Sequence, residues 1–188
     1  MVALPKDITA SKTEKIGMVI DHLVDALGRE PACTLRRAVI LADIDEHPGT
    51  TQGDIIERLG VNKSTLTRDI EWLYDYGCIM RQPSPQDGRE ICLFICGYAK
   101  RNLSLALEYF EYSHKSLKNF LIRFISIFGQ HKPTLRDAKI VSAMGNQPEL
   151  SKQDILSALY NGPTTTENRA INNLIDLGFI EKHDDRYV

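Results

Sequence analysis

No run of apolar residues in this 188-residue chain is long enough to cross a bilayer. The opening "MVALPKDITASKTEK" also lacks the apolar core of an export signal. Together these absences predict a cytoplasmic protein. The four cysteines, Cys33, Cys78, Cys92 and Cys96, form no CxxC pair and have no histidines at zinc-finger spacing. They read as small buried thiols, and no pattern supports a redox role for Cys33. There is no nucleophile–base pair, no glycine-rich phosphate loop and no metal-ligand spacing. The chain therefore reads as a non-enzyme, with no catalytic residue, no metal and no cofactor. Positive charge is not in excess either. A formal net charge of −2 argues against indiscriminate coating of nucleic acid, whose affinity comes from phosphate neutralisation. It leaves room for a sequence-reading protein with a local basic surface.

What is present is helical periodicity. In "SKTEKIGMVIDHLVDALGRE", Ile16, Val19, Ile20, Leu23, Val24 and Leu27 recur at steps of three and four, and Gly28 ends the pattern. "TLRRAVILADIDEH" predicts a second helix, stopped by Pro48-Gly49. "TTQGDIIERLG" predicts a short third one, with Thr50 or Thr51 as its cap and Gly60 at its end. A fourth spans 62–76: Asn62 caps it, Leu66, Ile70 and Leu73 share one face, and Gly77 closes it. Ser64, Thr67, Arg68 and Glu71 fall opposite. "CIMRQ" and "REICLFIC" then pair as a hairpin around "PSPQDG".

From Gly97 a helix is expected to run to about Phe128. Leu103, Leu107, Phe110, His114, Leu117, Leu121, Phe124 and Phe128 make a continuous stripe. A stripe of that length predicts a homodimer through helices at about 12–28 and 98–128, with His114 a satisfied interface histidine. The alternative is that the stripe packs only within its own domain.

"GQHKP" reads as a linker, and an internal repeat follows it. "TLRRAVI" begins at Thr34 and "TLRDAKI" at Thr134. At the same offset Pro48 matches Pro148, Asp54-Ile55 matches Asp154-Ile155, and Leu59 matches Leu159. One inserted residue later, Thr65, Arg68, Ile70, Leu73, Asp75, Gly77 and Ile79 match Thr166, Arg169, Ile171, Leu174, Asp176, Gly178 and Ile180. The expected organisation is a domain at 1–130, with its winged helix at about 34–97, and a second, truncated winged helix at 134–188. The fold class is mainly α with small β-hairpin wings: tandem winged helix-turn-helix units joined by a long helix.

Three helices and a hairpin in this order suit double-stranded DNA. A helix fits the major groove and can present side chains to base edges. The helix at 62–76 would be the reader, and its first turn, "NKST", offers short amide and hydroxyl groups and a lysine near a helix N-terminus that favours phosphate. Candidate contacts are Asn62, Lys63, Ser64, Thr65, Thr67 and Arg68. The wing at 81–90 would reach the minor groove through Arg89, with Asp87 pairing with Arg89 to fix its direction. In the repeat, Thr165, Asn168 and Arg169 stand where Ser64, Thr67 and Arg68 do. Glu167 stands where Leu66 does and is an exposed contact if the second unit meets a protein instead. That unit has no basic wing tip of similar length.

From about Thr34 to Gly97 the chain resembles the MarR family of bacterial winged-helix regulators. The residues that carry the resemblance are "DIIERLGVNKSTLTRDIEWLYDYGCIMR", then "DGRE" at the wing, then "LFICGYAKRNL". The resemblance implies a homodimer with intertwined first and last helices and one recognition helix per subunit in successive major grooves. It implies groove contacts at Ser64, Thr65, Thr67 and Arg68, and a wing motif at Asp87 and Arg89. It also implies repression, and release of DNA on binding a small aromatic effector whose identity the sequence does not give. The chain departs from the family by adding Thr134–Val188, which opens the possibility of an internal pseudo-dimer.

The leading expectation is thus a sequence-specific DNA-binding transcriptional regulator, a repressor. Two other classes stay open. One is a plasmid or phage replication, partition or transfer factor that binds arrays of repeated sites. The other is a winged-helix module that binds protein.

Overall fold

The computed structural model describes residues 10–147, 149–159 and 164–188. The match of Pro48 to Pro148 lies partly outside them. The order is α1 (Ala10–Ala26), α2 (Leu35–Glu46), α3 (Gln52–Leu59), α4 (Lys63–Asp75), β1 (Ile79–Pro83), β2 (Ile91–Ile95), α5 (Gly97–Glu108), α6 (His114–Ile127), α7 (Leu135–Asn146), β3 (Leu150–Ser151), α8 (Lys152–Ser157), α9 (Thr164–Asp176), β4 (Lys182–His183) and β5 (Arg186–Tyr187). The protein is mainly helical, with small antiparallel hairpins. Among the described residues, no helix is long and apolar enough to cross a membrane.

Capping chemistry sets most of these boundaries. Thr51 opens α3 with a capping box: its hydroxyl accepts from the Asp54 N–H, and the Asp54 carboxylate accepts from the Thr51 N–H at 2.8 Å. Gly60 ends α3 at φ +63°, a conformation that costs glycine little. Ser151 and Asp154 repeat the same box at α8. In the first hairpin Ile79 faces Ile95 and Pro83 faces Ile91. The second sheet has the order β3-β5-β4. In both hairpins the strand nearer the C-terminus also pairs with a segment just ahead of the short helix: Leu93 with Thr50, and Tyr187 with Leu150.

The stretch expected as one helix from 98 to 128 is two. The break spans Tyr109–Ser113, where Glu111 and Tyr112 sit at φ +53° and +60°. Ser113 then caps α6, its hydroxyl accepting from the Ser116 N–H. Apolar spacing carries through the break unchanged, and neither glycine nor proline marks it.

The stripe is also spent differently from the seam between copies that it predicts. Leu103, Leu107, Leu117, Leu121, Phe124 and Phe128 are buried within the one chain. α5 packs on α1, and α6 packs on α2. Burying a leucine fully is worth roughly 1.5–3 kcal/mol, so the stripe is a principal source of cohesion here. His114 is satisfied inside the chain too, with Nε2 2.9 Å from the Asp45 carboxylate.

α1 lies against α7 as well as α5. The N-termini of α2 and α7 meet directly in an antiparallel bridge between Thr34 and Thr134. The Leu35 N–H donates to the Pro133 carbonyl at 3.0 Å, and the Leu135 N–H donates to the Cys33 carbonyl at 2.9 Å.

Candidate nucleic-acid interface

Asn62 shapes the start of α4. Its side-chain oxygen accepts from the Ser64 N–H at 2.9 Å and the Ser64 hydroxyl at 2.8 Å. Of the residues predicted to touch DNA, Asn62 therefore has that oxygen committed to the cap. Thr67 turns its hydroxyl back to the Lys63 carbonyl, 3.0 Å away, with the Gln52 side-chain oxygen at 3.3 Å. Thr65 is half-buried. Lys63, Ser64 and Arg68 are exposed on the outer face, beside Glu71. No ion pair is recorded for Lys63 or Arg68 among the described residues.

The inner face explains why α4 keeps its orientation. Leu66, Ile70 and Leu73 are fully buried. Asp69 is buried with them, and its carboxylate accepts from Arg36 at 2.6 Å and Arg37 at 2.9 Å, clamping α4 to α2. The Arg37 guanidinium also sits 4.3 Å from the Trp72 ring centroid, and Trp72 stacks on Tyr76. Reading the sequence missed this clamp, because Arg36, Arg37 and Asp69 are more than thirty residues apart. It also missed Arg81 on β1, whose guanidinium lies 4.6 Å over the exposed Tyr74 ring of α4.

The wing departs from its predicted geometry at one point. Asp87 accepts the backbone N–H of Arg89 at 3.0 Å, not its guanidinium. A carboxylate two residues ahead is better placed to close this local turn than to follow a long side chain outward. Ser84, buried beneath the loop, accepts from the N–H groups of Gln86 and Asp87, and its own N–H donates to the Glu90 carbonyl. The loop is thus fixed by Ser84 and Asp87, while the exposed Arg89 side chain has no ionic partner among the described residues.

On α9, Thr165, Asn168, Arg169, Asn172, Asn173 and Asp176 line a shallow, open groove. Glu167 is not an exposed contact. It is buried against α7, 3.1 Å from Arg136. Arg136 is nearly buried too, and a leucine-to-glutamate change in the repeat is matched by this buried cation. The second hairpin turns through Asp184 and Asp185, an acidic tip where the first has Arg89.

Asp43, Glu46 and His47 lie close enough together to resemble a metal site, but cations already occupy their charge. Arg58 reaches Asp43 at 2.7 Å, and Lys118 reaches Asp43 at 2.8 Å and Glu46 at 2.5 Å. Burial pushes the Asp43 carboxyl up, but hydrogen bonds from Arg58 and Lys118 outweigh it and hold the group below the usual range. Burial raises the thiols of Cys33 and Cys78 to about 12, which keeps both protonated and poor nucleophiles.

Residues 33–91 match the model of the MarR family. That stretch is a MarR-family winged helix. The match spans α2 to the start of β2 and leaves out α5 to β5. No curated protein matches the chain. Among solved structures, the chain is similar to the transcriptional regulator SlyA (21% identity, 60% of this chain, 90% of that one, TM-score 0.40). It is similar also to a MarR structure (22% identity, 68% and 83% coverage, TM-score 0.39). A third is a mutant MarR from E. coli complexed with operator DNA (19% identity, 50% and 68% coverage, TM-score 0.39). TM-scores this low leave the assignment to the MarR family match and the hydrogen-bonded geometry.

Proposed function

We propose that this chain is a cytoplasmic, sequence-specific double-stranded DNA-binding regulator of transcription that acts as a repressor. In this reading α4 enters the major groove and the wing at 81–90 lies at the minor groove. The winged helix at about 34–97 belongs to a domain at 1–130, and 134–188 forms a second, shorter winged helix. One observation carries the reading. Lys63 and Arg68 on α4 and Arg89 on the wing tip are exposed cations without ionic partners among the described residues, on elements held by the Asp69 clamp and the Ser84–Asp87 loop. Unpaired cations on a rigid helix and its adjacent loop suit phosphates and guanine edges. The MarR family match over the same stretch supports it. A second copy of the chain would have to join through a surface other than the buried stripe.

The test uses purified chain and a duplex selected from a random pool. Arg68→Ala is expected to weaken specific binding by ~1–3 kcal/mol and to relax preference at one base pair. Arg89→Ala is expected to lower the salt dependence by about one phosphate contact. Both variants should melt like the parent, since both side chains are exposed. Unchanged affinity and salt slope in both would remove α4 and the wing from any nucleic-acid interface.

A further inference from the structure

We infer that this chain is a covalent pseudo-dimer that by itself reads one asymmetric DNA element, with α4 on one half-site and α9 on the other. The inference rests on the reading of α4 above and adds the class of target.

The first observation is the exchange at Thr34 and Thr134. The bond from Leu35 N–H to the residue 133 carbonyl and the bond from Leu135 N–H to the residue 33 carbonyl map onto each other under a shift of one hundred residues. Reciprocal bonds of this kind define a local two-fold axis between the start of α2 and the start of α7.

The second observation extends the repeat beyond what the sequence reading found. At a shift of 101, Ile16, Ile20 and Leu23 of α1 correspond to Leu117, Leu121 and Phe124 of α6. Gly28 and Gly129, just past the two helices, match at φ +73° and +60°. α1 precedes α2 in the chain but packs on α7, while α6 precedes α7 but packs on α2. Each half thus lends its first helix to the other, as exchanged helices do in a symmetric dimer.

The third observation concerns α4 and α9. Each has thirteen residues. Each is followed by a left-handed glycine, Gly77 or Gly178. The next N–H in each case returns to the helix, Cys78 to the Leu73 carbonyl and Phe179 to the Leu174 carbonyl. Ser64 and Thr165, Arg68 and Arg169, and Glu71 and Asn172 are exposed in matching pairs, and Thr67 and Asn168 are both half-buried.

A two-fold rotation preserves direction along its axis. Whatever outward component the α4 face has along the axis, the α9 face has on the same side. Two faces so related meet one duplex together, because a duplex has two-fold axes across its own grooves. The chemistry of the faces differs, however. Both carry an arginine suited to guanine. Where α4 has Lys63, Thr67 and Glu71, α9 has Thr164, Asn168 and Asn172, and the exposed Asn172 amide matches adenine. The two half-sites are therefore unlike, and the element is not a palindrome.

The experiment selects duplexes from a random pool with the full chain and weighs the complex by sedimentation. One chain per duplex, on a non-palindromic sequence, is expected. On that duplex, Arg68→Ala should relax base preference in one half and Arg169→Ala in the other, each lowering affinity roughly five- to hundredfold with melting temperature unchanged. A palindrome bound by two chains, with Arg169→Ala silent, overturns the inference while leaving the reading of α4 intact. Recovery of no preferred sequence overturns the reading of α4 itself.

Discussion

The two halves of the molecule are pinned by charge in different places, the first through two buried carboxylates that each gather two cations, the second through single ion pairs. Asp43 gathers Arg58 and Lys118, and Asp69 gathers Arg36 and Arg37. At the corresponding places in the other half stand Ala143 for Asp43, Ala158 for Arg58, Gly17 for Lys118 and Ala170 for Asp69. The cluster is missing as a unit, which is what one expects of buried charges that are tolerable only together. The second half has ion pairs of its own in other places: Arg136 with Glu167, and Lys139 of α7 with Asp21 of α1. The capping boxes of α3 and α8, the left-handed glycines after α4 and α9, and the backbone bonds behind those glycines recur at matching positions. The backbone frame is thus common to both halves, and the polar tethers are particular to each.

The largest test of this contrast removes the tether at its centre. Asp43→Ala takes from Arg58 its carboxylate and leaves Lys118 with Glu46 alone, and it is expected to cost about 3–5 kcal/mol in denaturant unfolding. The same tether gives the first half a pH dependence. The folded carboxyl is held below its ordinary value, so its contribution is complete above the ordinary carboxylate range. It is lost as pH falls through the lowered value. An Asp43→Ala variant as stable as the parent, with the same acid limb, would show that the cluster is ornamental.

A second test makes the halves more alike. Glu167→Leu installs the residue that the first half uses at Leu66. Alone it leaves Arg136 buried and unpaired and should destabilise the chain. Combined with Arg136→Met it should be neutral or stabilising by about 1–4 kcal/mol. A double variant weaker than the Glu167→Leu single would mean that this pair carries more than its own desolvation. The smallest test addresses what the halves share. Thr51→Ala and Ser151→Ala each remove one capping box and should each cost about 1 kcal/mol by thermal or chemical unfolding. Clearly unequal costs would break the equivalence of α3 and α8.

These contrasts also mark what could be read from the sequence. The elements from α2 to β2 were legible because their signals are local: Asn62 and Thr51 as caps, Gly60 and Gly77 as stops, and apolar spacing at Leu66, Ile70 and Leu73. The repeat from Thr34 and Thr134 was legible because residue identities recur in register. The correspondence of α1 with α6 was not, since Ile16 against Leu117 and Leu23 against Phe124 share only apolar character. Nothing at Tyr109–Ser113 announces a break except Ser113, which becomes a cap only once the helix has stopped. The direction of the stripe was misjudged because spacing tells which face is apolar, not which surface covers it. The exposure of Lys63, Arg68 and Arg89 could be read from charge and position. The Asp69 clamp and the burial of Glu167 depend on partners brought from distant parts of the chain.

The exchange of α1 and α6 between halves has a further consequence. A dimer assembled from separate chains falls apart on dilution, and every substitution in it appears twice, once on each side of its axis. Here the halves are tethered, so their encounter is set by the connecting segment and not by how much protein is present. Each substitution also appears once. Lysine can become threonine on α9 while α4 keeps it, and Asp43 can gather its cations while Ala143 does without. A molecule built this way can change one of its two faces while the other stays as it was.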